Sequence, residues 1–316
     1  MNRRDAVSTV LGAVVAARPS LALAEPATLR IGFDPIDSNT NLLAAQSQGL
    51  FEKNGLAVEL QVTKNGAAGA AALLAGSLDL VQINVASIVA ARQKGVPFTI
   101  VALAELYTTA APTFALVVPN DSTLRAPLDL VGKTVGVVAI GGLGWIAARA
   151  FVDQHGGDST KIKFAEIPFP LMPEALASRR VDAIFVGEPN LSIAKRSGRI
   201  FAKAYDAVSP TFLINATVAT TDWISSHVDV ARRYNAAMQQ ASIWANRNRD
   251  KTAAILAKVA NTDVATISAT SRATFPERQP LVPLVQPVID AMVKYGNSNV
   301  GVAAADLFSK DVFRLS

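Results

Sequence analysis

The residues of this sequence with chemistry to offer are few, and the best-formed set is Gly142-x-Gly144-x-x-Ala147. It follows a β-branched run, Thr134 to Ala139, opens an alanine-rich stretch, and has Glu166 nineteen positions after Ala147. That is the pattern of a dinucleotide fingerprint, in which glycines admit a pyrophosphate to a helix N-terminus and an acid holds a ribose hydroxyl. An exported NAD(P)-dependent oxidoreductase is the alternative this pattern supports. Against it, the set lies mid-chain, no strand series follows Phe212, and no His, Lys or Tyr falls in a recognisable proton-transfer motif. A glycine-rich turn that opens a helix also has a simpler use, because its free N–H groups and the positive end of the dipole hold any anion or acceptor. Gly132-Lys133-Thr134 looks like the end of a phosphate loop, but Pro127 stands where that loop needs its first glycine, and the triplet precedes a strand. His155 and His227 lie 72 positions apart at expected helix ends, which suits surface roles better than a metal site. No H-E-x-x-H, G-x-S-x-G or C-x-x-C occurs. The absence of cysteine excludes disulfides, thiolate zinc sites, iron–sulfur clusters and a cysteine nucleophile. No catalytic residue, metal or cofactor is expected in the main reading.

The elements that must position these residues alternate regularly. Leu29 to Phe33, Leu56 to Val62, Asp79 to Ile83 and Phe98 to Leu103 read as strands, with helices over Asn41 to Gln48, Ala67 to Leu74 and Ser87 to Gln93 between them. A second series has strands at Phe114 to Val118, Thr134 to Ala139, Ile162 to Ile167 and Val181 to Val186, with helices near Trp145 to Gln154 and Pro173 to Arg179. Phe212 to Ala219 reads as one further strand, and the remainder as helical, with Val230 to Arg247 carrying apolar positions at helical spacing. The fold class is α/β, each series a mainly parallel sheet flanked by helices.

One echo ties the two series together. Ala72-Leu73 followed by Leu78-Asp79 recurs as Ala175-Leu176 followed by Val181-Asp182, 103 residues on. Two similar lobes then place Asn84-Val85-Ala86 and Gly187-Glu188-Pro189 just past the carboxyl ends of equivalent strands. Open α/β sheets bind ligands there, so these loops are expected to face one another across a cleft.

Composition narrows the class. A length of 316 residues suits two lobes, and 17% charged residues is too few for a nucleic-acid binder that must neutralise phosphates. Asn2-Arg3-Arg4, an apolar stretch from Ala6 to Ala17, and Ala22-Leu23-Ala24 before Glu25-Pro26 read as an export signal over residues 1–24. Arg3-Arg4 resembles a twin-arginine signal, although Asp5-Ala6-Val7 follows where a large apolar pair is usual, so twin-arginine and ordinary secretion both stay open. Arg18-Pro19 cuts the apolar run too short for a membrane span. Removing Arg3, Arg4, Arg18 and Asp5 leaves 27 basic and 24 acidic residues, a balanced surface that names no partner. The mature protein is expected in the periplasm.

Four motifs in order then carry a family resemblance. They are Ala45-x-x-x-Gly49-Leu50-Phe51-Glu52-Lys53-Asn54-Gly55-Leu56; Ala72-Leu73-x-x-Gly76-x-x-Asp79; Leu128-x-Leu130-x-Gly132-Lys133-Thr134-Val135-Gly136-Val137; and Ala175-Leu176 with Val181-Asp182-Ala183 and Glu188-Pro189. Together, from about Leu29 to Ala219, the chain resembles the solute-binding proteins of nitrate/sulfonate/taurine-type ABC importers. Relatives in that family that make the thiamin pyrimidine carry a cysteine-rich motif, which this chain lacks.

The resemblance implies a periplasmic-binding-protein fold of type II, with residues 25–115 and 215–316 as one lobe and 116–214 as the other. It implies a monomer that clamps a small solute between the lobes and delivers it to a membrane permease; a ligand-sensing adaptor of the same fold is the alternative. It maps ligand contacts onto Asp34, Asn41, Lys64, Asn84, Gly141, Gly142, Gly144, Trp145, Phe169 and Glu188. Sulfonate- or nitrate-like anions are the family's habit. Yet these loops offer only Lys64 as a cation, beside Trp145, Phe169 and the carboxylate of Glu188, which suits an aromatic or heteroaromatic solute better.

Overall fold

The computed structural model describes residues 27–296 and 301–313, so the expected export signal lies outside the described residues. Twelve strands are described: β1 (Ala27–Phe33), β2 (Leu56–Val62), β3 (Leu80–Asn84), β4 (Phe98–Leu103), β5 (Leu106–Thr108), β6 (Phe114–Pro119), β7 (Thr134–Val137), β8 (Lys163–Glu166), β9 (Ala183–Gly187), β10 (Gly198–Ala202), β11 (Thr211–Leu213) and β12 (Asn215–Thr220). They form two five-stranded sheets, β2-β1-β3-β12-β4 and β10-β6-β9-β7-β8, and a two-stranded ribbon of β5 and β11.

The two sheets have the same plan. In the first, β1 pairs in parallel with β2 and β3, and β12 runs antiparallel between β3 and β4. In the second, β7 pairs in parallel with β8 and β9, and β6 runs antiparallel between β9 and β10. Each sheet is therefore mainly parallel with one reversed strand.

The echo seen in the sequence is a shared local device. Asp79 accepts the N–H of Arg30 at 2.8 Å and donates its own N–H to Arg30 O, tying the start of β3 to β1. Asp182 does the same with Thr134 at the start of β9, again at 2.8 Å. The helix before each strand ends in a left-handed residue, Gly76 at φ 72° and Arg179 at φ 60°. Leu78 and Val181 then drop into the core at matching positions.

Two expectations are corrected at the crossover. Phe212 to Ala219 is not one strand: Thr211–Leu213 pairs with β5, Asn215–Thr220 joins the first sheet, and Ile214 between them donates to Glu105 O. β6 pairs with β9 and β10 well inside the second sheet, so the lobe boundary expected at residue 115 does not fall between the sheets. A boundary at residue 115 cuts that strand; the crossing is the β5–β11 ribbon. β5 and β11 are three residues long and β10 pairs irregularly, which left all three without a clear period in the sequence.

The helix Val228–Arg247 lays Tyr234, Ala237, Met238 and Ala241 against Leu29, Ile31, Leu80 and Val101 of the first sheet. Behind the ribbon, Arg272 clasps Asp37: Nη2 lies 2.7 Å from Oδ1, Nε also donates, and the Ala273 N–H adds a further bond. Both side chains are almost wholly buried. Removing one partner of a buried pair strands the other charge. Arg272→Ala should therefore lower stability by about 3 to 5 kcal/mol in denaturant unfolding.

Candidate ligand-binding cleft

The loops at the carboxyl ends of β1, β3 and β7 enclose a small chamber between the sheets. Asp34 follows β1; Asn65 caps the helix Gly66–Leu74 and Asn84 caps the helix Val85–Gln93; Gly142 opens the helix Leu143–Gln154. Phe114 from β6, Phe185 from β9, Phe169, Trp145 and Tyr205 supply the aromatic wall, and Ile214 and Asn215 close the chamber at the crossover. The enclosed space is about 40 Å³. Asp34, Ile36 and Phe169 also line a neighbouring vestibule of about 280 Å³, with Pro35, Val62, Thr63, Lys64, Pro168, Pro170 and Asn190.

Several N–H groups at helix starts face this space. Asn65 Oδ1 accepts from Ala68 and Asn84 Oδ1 from Ser87, each at 2.9 Å, so these two helices are capped by side chains. The helix Leu143–Gln154 has no side-chain cap, which leaves its first-turn N–H groups open. Gly141 takes a φ of +79° to turn the chain into this helix. Gly144 has a different task, since a Cβ there would stand 2.5 Å from the Phe185 ring; its role is to let the helix approach β9.

Of the ten expected site residues, Asp34, Asn84, Gly144, Trp145 and Phe169 line the chamber, and Lys64 lines the vestibule. Gly141 and Gly142 shape the turn behind it. Trp145 serves the chamber and the core together: it is 8% exposed, packs on Phe164 at 5.7 Å, and carries the Arg149 guanidinium 4.5 Å from its ring centre. Asn41 is not brought to the cleft. It is wholly buried, donates to Ser242 Oγ at 3.2 Å and accepts from Gln82 Nε2, a polar tie beneath the first sheet.

Glu188 likewise faces away from the chamber. Its carboxylate accepts the Ser192 N–H at 3.0 Å and the Ser192 hydroxyl at 3.1 Å, while its carbonyl accepts the Asp37 N–H at 3.1 Å. Burial pushes its carboxyl up to about 7. Glu166, the acid of the dinucleotide pattern, is spent on the Ile140 N–H at 2.7 Å. His155 and His227 are exposed at helix ends and bond to backbone carbonyls, and among the described residues no cluster of metal-ligating side chains occurs.

The sequence reading missed Asn215, Phe114 and Phe185, which sit in runs that read as strands, Tyr205, which lies outside the elements read from the sequence, and Glu105. Glu105 is wholly buried at the crossover, accepting from Ser38 Oγ and Thr113 Oγ1. Burial pushes its carboxyl up to about 8, against the two hydroxyl donors and with the nearby Asp37 raising it further. The available signal was a single acid between apolar runs, Leu103-Ala104-Glu105-Leu106-Tyr107.

The fold and cleft define the class: two like-built α/β units with a ligand space between them, the architecture of periplasmic binding proteins. The chain belongs to the NMT1-like family, whose profile matches residues 22–261. A Brucella abortus (strain 2308) protein named "Putative binding protein BAB2_1146" is 26% identical over 255 residues, 79% of this chain and 76% of that one. Among solved structures, the alkanesulfonate-binding protein SsuA from Xanthomonas axonopodis pv. citri, bound to MOPS, superposes with a TM-score of 0.75 at 21% identity, covering 90% of this chain and 99% of that one. The periplasmic nitrate-binding protein NrtA from Synechocystis PCC 6803 gives 0.76 at 16% identity, covering 92% and 88%. These likenesses establish the fold.

The pH dependence follows from the buried carboxyls. Glu105 binds its proton more tightly folded, at about 8, than unfolded, near 4.5, and Glu188 and Asp34, at about 7 and about 6, act in the same sense. Their contribution is full below the unfolded values and is lost as pH rises through the folded ones. The thermal midpoint should fall between pH 5 and pH 8.5, and Glu105→Gln should remove most of the slope above pH 7, measured by calorimetry.

Proposed function

We propose that this protein is an extracytoplasmic solute-binding protein that captures a small solute between two lobes, hands it to an ABC importer in the membrane, and has no catalysis of its own. The single observation that carries this reading is the chamber between two sheets of the same plan, built from both, with the chain passing from one to the other through a narrow ribbon. Family membership and the binding proteins that share the fold support it. Residues 27–105 with 215–296 and 301–313 form one lobe and 109–210 the other, the ribbon serving as hinge; closure about such a hinge is the common response of clamp proteins to ligand.

Export to the periplasm, by either route, is part of this proposal, as is a monomeric state. The dinucleotide reading loses its footing in the cleft, because Glu166 is engaged by Ile140 and the helix start packs on Phe185.

The aromatic wall suits a planar solute. A cavity of about 150 Å³ accepts a benzene ring, so a ring does not fit the 40 Å³ chamber as it stands and is better housed in the vestibule beside Phe169. Phe169, which lines both spaces, contributes area and a stacking face, and Trp145 contributes apolar wall to the end of the solute that reaches the chamber.

The test is a thermal-shift screen of small solutes followed by calorimetry, since a ligand at a hundred times its Kd adds about 2.7 kcal/mol of stability. Trp145→Ala should weaken a confirmed solute by roughly tenfold. Glu188→Gln should leave the affinity within about threefold, less than 1 kcal/mol, because its carboxylate faces Ser192. Equal loss in both variants would place the solute outside the chamber.

A further inference from the structure

The chamber has polar groups of both kinds left over by the fold. On the acceptor side, Asp34 Oδ1 takes the Thr63 hydroxyl at 2.8 Å while Oδ2 has no partner among the described residues. Asn215, 4% exposed, donates through Nδ2 to Asn39 at 3.2 Å and leaves its Oδ1 unused. On the donor side, Asn84 Nδ2 is unused because only its Oδ1 is engaged, by Ser87, and the uncapped start of the helix Leu143–Gln154 adds backbone N–H groups. The Tyr205 hydroxyl, on a residue 3% exposed, has no hydrogen-bond partner among the described residues and can serve either way.

Among the described residues no Lys, Arg or His lines the chamber; Lys64 stands in the vestibule. A permanent anion placed against the helix starts would share this space with the Asp34 carboxylate, a like charge that opposes the pull of the helix-start N–H groups. Burial without a cationic neighbour pushes that carboxyl up to about 6; in its ionised form it only accepts. A cation alone would satisfy Asp34 and leave the donors idle. With about 40 Å³ available, the group that enters has only a few heavy atoms.

Resting on the solute-binding reading above, we propose that the solute enters with an uncharged head group that offers an N–H donor beside a carbonyl or ring-nitrogen acceptor, as in a primary amide, a urea or the edge of an amino-heterocycle, and that Asp34 is the residue that selects it over sulfonates, carboxylates and nitrate. The N–H points to Asp34 Oδ2 and Asn215 Oδ1, the acceptor to Asn84 and the helix starts, and the body of the solute lies in the vestibule against Phe169 and the prolines. Proposed this way, Asp34 is a specificity-determining residue.

The test uses matched shapes that differ in the head group: benzamide against benzoate, nicotinamide against nicotinate, and methylurea against nitrate and ethanesulfonate, by thermal shift and calorimetry at neutral pH. The uncharged member should bind about tenfold or more tightly than its anionic partner, the scale of a charged hydrogen bond. Asp34→Asn, nearly the same shape and able to donate, should level that preference; the wild-type pairs are decisive even if the variant folds poorly. Anions that bind as well as or better than their partners, or a preference that survives Asp34→Asn in folded protein, would overturn the assignment while leaving solute binding intact. Silence from both series would count against the solute-binding reading and take this inference with it.

Discussion

The buried carboxyl of Glu105 is the contact on which the arrangement of the two units depends. It lies just before the ribbon strand β5, takes a hydroxyl from Ser38 in the turn after β1, and takes another from Thr113 at the start of β6. One side chain thus joins the first sheet, the crossover and the second sheet. Its carbonyl accepts from Ile214, where the chain returns, so both passages between the units are fastened to one residue. A carboxyl in so dry a place is costly to ionise, and the two hydroxyls offset part of that cost. Around it, Asp37 binds Arg272 and the Glu188 carbonyl, and Asn39 links Asn215 to the Asp34 carbonyl. The floor of the chamber and the joint between the units are therefore one hydrogen-bonded structure.

Two opposed tendencies meet in the chamber. Helix starts and glycine turns favour negative charge or acceptors. Asp34, carried in on the end of β1, favours donors and resists negative charge. A site with only the first feature would hold an oxyanion; the second feature shifts it toward a head group that satisfies both. The aromatic wall adds apolar area without answering the polar question.

Much of this was legible in the sequence, for physical reasons that differ from place to place. Strands buried on both faces, such as Phe98 to Leu103, announce themselves as continuous β-branched runs, and the repeated Asp79 and Asp182 devices were visible because each needs an acid at the same offset from a helix end. Asp34, Asn84, Trp145 and Phe169, which the family resemblance maps onto loops after strands, line the chamber. The β5–β11 ribbon was not legible, since three residues carry no period, and β11 runs into β12 with only Ile214 between. Asn41 and Glu188 have the residue types of a site, but their partners, Ser242 and Ser192, decide which way they face. The partner of Asn41 lies 201 residues away, beyond any local pattern.

The most direct measurement is small-angle X-ray scattering of the protein with and without a saturating solute confirmed by thermal shift. Two units that close on a solute about the β5–β11 ribbon give a smaller radius of gyration and a narrower distance distribution when it is bound. A solute that stabilises the protein yet leaves both unchanged would contradict a clamp and place binding on a rigid body.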